Sequence, residues 1–353
     1  MEEVRVAVAG LGNVACALVQ GVEYYRKCRD ESIPGIMHPV LGDYHIGNIK
    51  FVAAFDVNKN KVGEDIARAI FVKPNCALKT ANVPQTGVKV QKGPVLDGIG
   101  RYLREKIPID DRQHPVDVEK VLRKSKADVL IILVPVGSDR AARYYAECAL
   151  HAGVAVVNGM PAFIANDTDF VSLAKKKRVP VIGDDIKSQV GATITHRALI
   201  DMIVNRGAKI HNTYQLNVGG DMDFYNMLER DRLLTKKITK TDAVKSLVPY
   251  DMPTHIGPSD YVEFLNNTKI AFIRIMASKF CDVPVSIEVK LEVQDAYNSA
   301  GILVDAIRCA KIACDRGLGG AIIPASAYFM KKPPKQMPDA QAKAELEKFI
   351  NQQ

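Results

Sequence analysis

The 353-residue chain reads as an α/β protein, a parallel sheet with helices on both faces interrupted by a second, mixed α+β unit. Three observations carry that reading. A valine-rich strand runs straight into a glycine turn and a helix at the N-terminus. Strand and helix patterns then alternate through the first half. After Gly207 the texture changes to longer strands with period-2 alternation.

Val4 to Ala9 is a short apolar run, as expected of a buried strand, and it passes into Gly10-Leu-Gly12-Asn13-Val14-Ala15 and a helical run to about Tyr25. In this G-x-G-x-x-A pattern the first glycine permits a tight turn and the second lets a pyrophosphate approach the main chain. The small Ala15 allows close packing of helix on strand, with the diphosphate at the helix N-terminus. Ile49 to Asp56 is the second strand, and Asp56 at its end is the candidate for the adenosine ribose hydroxyls; a carboxylate there favours NAD over NADP. An insertion from Cys28 to Gly47, rich in Pro, Gly and His, separates the two strands. An amphipathic run from Lys61 to Ala69, a helix near Val116 to Lys124 and the strand Asp128 to Pro135 follow. Pro135-Val-Gly137-Ser138 then opens a helix from Asp139 to His151. The strands Val154 to Val157 and Pro180 to Ile182 end at Asn158-Gly159 and at Gly183-Asp184-Asp185, with Lys187 and Ser188 leading into a helix near Gln189. These loops share the carboxyl edge of a parallel sheet, where ligands bind.

Beyond Gly207 the strands Ala208 to Val218, Lys269 to Met276 and Val283 to Val293 point to a second sheet, more antiparallel than parallel. The last alternates polar and apolar residues, as a strand does when one side is wet or faces another subunit. Amphipathic helical runs at Asn298 to Arg316 and Ala340 to Phe349 close the chain, with the basic turn Lys331-Lys332-Pro-Pro between them. Asn217 to Lys240 is the densest stretch. Gly219 and Gly220 allow close backbone approach, Asp221 and Asp223 offer oxygen ligands or proton carriers, and Lys236 and Lys240 share a helical face. Two readings fit, a phosphate-binding substrate site or a turn leading into a solvated basic helix.

Composition narrows the class. No apolar run is long enough to span a membrane, and the first strand begins too early to leave room for a secretory signal. Seven cysteines (Cys16, Cys28, Cys76, Cys148, Cys281, Cys309, Cys314) form an odd set without CxxC spacing, which points to reduced thiols and a cytoplasmic protein. The seven histidines are scattered, with no zinc-like cluster. A net charge of +8 would suit nucleic acid, but the basic residues are dispersed and tryptophan is absent, so a small anionic substrate accounts for it as well.

Several long motifs carry a resemblance: GLGNVACALVQGVEYY, VPVGS, GDDIKSQVGATITHR, NVGGDMDFYNM, KKITKTDAV, HIGPSDYVEFL, VPVSIEVKLEV, NSAGILVDAIRCAKIACDRG and IPASAYFMK. Over nearly its whole length the chain resembles the myo-inositol-1-phosphate synthase family, in its shorter prokaryotic branch. The resemblance implies a Rossmann domain binding NAD (1–200 with 299–353) and an inserted catalytic and oligomerisation domain (201–298). It further implies a homotetramer acting on glucose 6-phosphate, with room for a divalent or monovalent cation and no nucleic-acid or membrane partner. Family lysines carry over onto Lys236 and Lys240, where the motif serines have become Thr235 and Thr239, and onto Lys269 and Lys331. Asn267 stands where the Lys269 motif has an acid, Asp221 stands where many relatives have Asn, and Lys332 replaces a small residue after Lys331. Asp223 and Asp295 match the family acids, and Asn217, Gly219 and Gly220 belong to the motif around Asp223.

The implied chemistry is oxidation at C5, loss of a C6 proton, attack of C6 on the C1 aldehyde and re-reduction at C5. Each intermediate carries negative charge on oxygen, which fixed ammonium groups stabilise. The resemblance gives Lys269 the C5 oxygen, Lys331 and Lys236 the enolate and aldol steps, and Lys240 with the Gly219-Gly220 backbone the phosphate. Two other classes stay open at this point: a phosphosugar dehydrogenase with net redox turnover, and a non-catalytic nucleotide-binding regulator.

Overall fold

The computed structural model describes residues 3–28 and 33–352, apart from the side chains at 234, 236, 237, 258 and 259. Residues 29–32 of the insertion thus lie outside the described residues. In chain order, β1 (Val4–Ala9) leads into α1 (Asn13–Tyr25), and the insertion contributes the short pair β2 (Val40–Leu41) and β3 (Tyr44–His45). Next come β4 (Ile49–Asp56), α2 (Ile66–Ala69), β5 (Gln91–Lys92), α3 (Arg101–Lys106), α4 (Val118–Ser125), β6 (Val129–Ile132) and α5 (Asp139–Ala152). β7 (Ala155–Asn158), α6 (Thr168–Lys177), β8 (Pro180–Ile182) and α7 (Ala192–Asn205) complete this run. The second unit holds β9 (Lys209–Gly219), α8 (Met222–Asn226), α9 (Leu234–Lys245), β10 (Thr254–Tyr261), β11 (Thr268–Ser278) and β12 (Pro284–Gln294). α10 (Asp295–Asp315), β13 (Gly320–Ala321), α11 (Ile323–Phe329) and α12 (Asp339–Asn351) end the chain.

Seven strands form a parallel sheet in the order β13-β8-β7-β6-β1-β4-β5. Strand order reverses between β1 and β6, so a crevice opens at their carboxyl ends. On one face Leu18, Val22 and the buried side chains Leu303, Ile307 and Ala310 pack on the sheet; on the other, Leu122, Ala142, Tyr145 and Leu150 do so. The C-terminal segment belongs to this sheet. β13 adds an edge strand to β8, and α10 crosses back from the second unit to pack on α1.

The second sheet, in the order β10-β9-β11-β12, pairs β9 with β11 and β11 with β12 antiparallel, and β9 with β10 parallel. Ile273 and Ile275 of its inner face pack with Ile200 and Ile203 of α7 and Val244 of α9. β10 had no strand signature in the sequence, because Gly257 and Pro258 interrupt its apolar pattern.

Three local readings change. Of the run Lys61 to Ala69 only the last turn is helical, since Gly63 at φ +90 breaks the chain and Asp65 caps a new start by accepting from the Ala67 N–H. The helix expected near Gln189 begins at Ala192, after Gly191, where a Cβ would lie 2.6 Å from the Ser188 side chain. α10 is buried around most of its girth rather than amphipathic, because the insertion covers the side that the sheet does not.

Candidate active site

The glycine loop is built as its pattern requires. Gly10 sits at φ +94, and a Cβ there would stand 2.5 Å from the Leu133 carbonyl oxygen, so only glycine lets the loop pass the end of β6. Gly12 precedes α1, and a Cβ on it would meet nothing within 4 Å. The helix has no side-chain cap, so its first-turn N–H groups open on that space. Asn13 turns aside: its Oδ1 accepts from the N–H groups of Cys76 (2.7 Å) and Ala77 (3.1 Å), fastening a neighbouring segment over the loop. Asp56 accepts from Leu11 N–H at 2.9 Å and from Val57 and Asn58 N–H at 2.8 Å, so its carboxylate braces the loop as well as lining the cleft.

Sequence reasoning missed Lys61 and Asn75. Lys61 is 4% exposed, and its Nζ donates to the Leu11 carbonyl (2.7 Å) and to Asn75 Oδ1 (3.1 Å), 3.7 Å from Asp56. Nothing in the sequence separates this lysine from the many exposed ones.

One cleft, enclosing about 1560 Å³ with its open mouth included, runs from this loop to the lysine cluster. Gly10, Gly12, Asn13, Val14, Ala15, Asp56, Pro135 and Ser188 line it together with Asp185, Asp221, Asp223, Lys240, Lys269, Asp295 and Lys331. Separate segments of the chain bring the charged groups in. Lys269 lies near the start of β11 and Asp295 opens α10, so the antiparallel pairing of β11 with β12 places Nζ 3.3 and 3.4 Å from the two carboxylate oxygens. The Phe224 ring centroid lies 5.9 Å from the same ammonium. Lys240, on α9, is 4% exposed; Lys236 lies one turn earlier, and its side chain falls outside the described residues.

Lys331 arrives from the far end of the chain. The loop after β8 bridges to residues 329–332 through Lys187 N–H to the Phe329 carbonyl, Lys331 N–H to the Asp185 carbonyl and Lys332 N–H to the Asp184 carbonyl. Asp185 takes a left-handed φ of 62 within that bridge. Its Oδ1 then accepts from Lys331 Nζ at 2.7 Å and its Oδ2 from the buried Thr239 hydroxyl, tying the Lys240 helix to Lys331. Asp185, expected as a cofactor contact, lines the cleft and also partners a lysine.

Other residues expected at the site stand outside the cleft lining. Asn158 and Asp184 are fully buried; Asp184 accepts from Asn158 Nδ2, from the N–H groups of Ile164, Ala165 and Asn166 and from Asn166 Nδ2. Burial pushes its carboxyl up to about 6 against those donors. Lys187 is buried on Asp339 (3.0 Å) and the Ala327 carbonyl (2.9 Å), and burial pushes it down to about 8. Asn217, fully buried, donates to the Gly257 carbonyl at 2.6 Å and ties β9 to β10. Gly137, at φ +76, makes room for Arg232, whose Cβ would lie 2.6 Å from an added Cβ.

Gly219 and Gly220 also answer to internal neighbours. A Cβ on Gly219 would sit 2.3 Å from the Phe224 ring, and one on Gly220 2.5 Å from both Asn266 N and the Val262 carbonyl oxygen. Asp221 caps α8, its Oδ1 accepting from the N–H groups of Asp223 (3.0 Å) and Phe224 (3.2 Å).

The family model described as myo-inositol-1-phosphate synthase matches residues 191–296, the segment that supplies Asp221, Asp223, Lys240, Lys269 and Asp295. An inositol-3-phosphate synthase of Mycobacterium tuberculosis is 54% identical over 352 residues, covering 99% of this chain and 96% of that protein. This chain belongs to the inositol-3-phosphate synthase family. A relative from Corynebacterium glutamicum carrying the same name is 51% identical, with 98% of each chain covered. The crystal structure of a myo-inositol-1-phosphate synthase-related protein from Thermotoga maritima superposes with a TM-score of 0.82 at 27% identity, covering 99% of this chain and 98% of that one. The family resemblance read from the motifs is thereby established, as is the fold class of a parallel-sheet Rossmann unit joined to a mixed sheet.

Chemically, the arrangement sets two ammonium–carboxylate pairs, Lys269 with Asp295 and Lys331 with Asp185, beside a third lysine in a cleft that continues to a dinucleotide-type loop. Side-chain exposure at the two pairs is 21% or less, so their charges are only partly screened. Among the described residues no three His, Cys, Asp or Glu side chains group as a metal site, and no helix is long and apolar enough to cross a membrane.

Proposed function

We propose that the chain converts D-glucose 6-phosphate to 1L-myo-inositol 1-phosphate, with NAD bound at the glycine loop and regenerated in each cycle. The continuity of the cleft, from Gly10 and Gly12 to Lys240, Lys269 and Lys331, carries this reading in a chain 54% identical to a named synthase. The residues fit the cofactor: Gly10 clears the end of β6, Gly12 leaves open space before an uncapped helix, and Asp56 lines the same cleft. When bound, NAD would accept a hydride at the start of the cycle and give it back at the end.

The protein's own groups manage charge and protons. The Lys269–Asp295 pair takes the C5 hydroxyl proton during oxidation and returns it on reduction. Lys331, oriented by Asp185, donates to the oxygen that becomes anionic on enolisation, with Lys236 assigned beside it on the family motif alone. Lys240 holds the phosphate, and Asp223 a substrate hydroxyl. The Gly219-Gly220 backbone is assigned to the phosphate on the family motif alone, and the same two glycines leave room for Phe224 and for residues 262–266. Whether the acids of the cleft also hold a cation is decided by chelation.

We infer a homotetramer in the cytoplasm, on the exposed apolar face of the second sheet and on the odd set of seven cysteines. Incubation with glucose 6-phosphate and NAD, with and without chelator, should release inositol phosphate without net NADH. Accumulating NADH with no inositol phosphate would instead identify a net-redox dehydrogenase.

A further inference from the structure

Asn267 does not line the cleft, yet it joins three of the pieces that do. It is 2% exposed and stands immediately before β11, two residues from Lys269. Its backbone carbonyl accepts from Asp295 N–H at 3.1 Å, and its side-chain Oδ1 accepts from Ala296 N–H at 3.0 Å, which pins the start of α10 and with it the carboxylate partner of Lys269. Its Nδ2 donates to Asp221 Oδ2 at 3.1 Å. The other oxygen of Asp221 caps α8, the helix that carries Asp223 and sets the Phe224 ring near Lys269.

We propose that Asp221 and Asn267 form a matched carboxylate–carboxamide pair that positions Asp223, Lys269 and Asp295 for the reaction, and that its polarity works in either direction provided both members are exchanged. The inference rests on the synthase reading of the cleft. Ala296 N–H can only donate, so it fixes the carboxamide with its oxygen toward α10 and its nitrogen toward Asp221. With a carboxylate at position 267, one oxygen still meets Ala296, but the other faces the Asp221 carboxylate where the donor stood, in a place almost closed to water. With a carboxamide at position 221 alone, two amide nitrogens face each other, or the side chain turns and gives up its cap. With both exchanged, the carboxamide at position 221 would cap α8 with its oxygen and donate through its nitrogen to the carboxylate at position 267. Each of the hydrogen bonds named above then returns, with the direction reversed across the pair. Asp221 and Asn267 are positioning residues, since neither needs to meet the reacting atoms for this argument.

The test uses the full chain with three variants: Asn267→Asp, Asp221→Asn and the double exchange. Asn267→Asp should lower kcat by about a hundredfold, the loss expected when reacting groups shift by an ångström, while the affinity for NAD stays at the parent value. The double exchange should recover at least about tenfold in kcat over Asn267→Asp, a coupling that independent sites do not show. Melting temperatures read the same pair without substrate, with a drop in each single variant and recovery in the double. Should Asn267→Asp not fold, the double exchange decides alone: a folded, active protein supports the pair and an unfolded or inactive one overturns it. A double variant no better than Asn267→Asp, or an Asn267→Asp variant with parent kcat, also overturns it. A parent protein that makes no inositol phosphate would instead sink the synthase reading, and the melting series would still judge the pair.

Discussion

Lys331 is a lysine held by backbone hydrogen bonds and by the Asp185 carboxylate. The strand-like bridge between the loop after β8 and residues 329–332 fixes its Cα, and Asp185 at 2.7 Å fixes its ammonium. Lys331→Met keeps the stem and removes the charge. It should lower kcat roughly a hundred- to a thousandfold, as removing one oxyanion donor does elsewhere, while NAD binding measured by titration stays unchanged. Gly219 gives a different kind of test. In the sequence a glycine pair before two acids reads as room for a ligand, and the structure sets the Phe224 ring 2.3 Å from a would-be Cβ. Gly219→Ala should therefore cost about 1–3 kcal/mol in urea unfolding and displace the ring beside Lys269, lowering kcat as well. A ligand and an internal ring both demand the absence of Cβ, so residue type alone cannot tell them apart. The same limit hid Asp221 and Asn267: read singly they are two departures from the family pattern, and only the fold shows them as the two ends of one hydrogen bond.

At the scale of elements, what was legible followed periodicity. β1, β4, β8 and the second-sheet strands β9, β11 and β12 came within about a residue or two of their observed ends, because alternation or an unbroken apolar run marks each one. β13 could not be read: two residues, Gly320 and Ala321, join the sheet only because β8 offers an open edge. The insertion likewise carried no docking signal, yet it is fastened to α10. Arg308, fully buried, donates to the carbonyls of His38 (2.6 Å), Tyr44 (3.0 Å) and Pro39 (3.2 Å) and pairs with Asp305. His38 completes the clasp, its ring nitrogens 2.5 Å from Asp305 and 3.1 Å from Glu347 of α12. The hydrogen bond to Asp305 raises its pKa above the ordinary 6.5, against burial and with help from Glu347. The folded protein thus holds this proton to higher pH than the unfolded chain does. The stabilisation is fully present below about 6.5 and is lost as pH climbs through the raised value, so melting temperature should fall across that window. His38→Gln keeps a hydrogen-bonding side chain without the titration and should flatten the slope; a parent protein with no such slope would dismiss the clasp as a pH-dependent contact.

For the whole molecule, the two sheets divide the labour. The parallel sheet is covered on both faces by its own helices, whereas the second sheet has α7 and α9 on one face only. On the other face Tyr214 and Leu216 of β9 lie beside Phe272 and Met276 of β11, all more than a third exposed, with Leu216 directly opposite Phe272. Such a cluster at the centre of a sheet is a contiguous patch rather than scattered surface leucines, and charged Glu288, Lys290 and Glu292 of β12 flank it. The alternation of β12 announced a wet or subunit-facing side in the sequence, but the apolar strip on its neighbours became visible only once the register was known. If copies of this chain meet on that face, two carboxylates set directly opposite each other in it would repel and lose water, more than Lys290 across from position 272 offsets. Phe272→Asp combined with Leu216→Asp should then shift the species seen by sedimentation from tetramer to dimer or monomer, with the parallel sheet and its NAD affinity intact. An unchanged sedimentation profile for this variant would place the assembly on another surface. Because Lys269 and Asn217 share strands β11 and β9 with this strip, the dissociated protein should also lose activity, through loosening of the strands that hold the cleft.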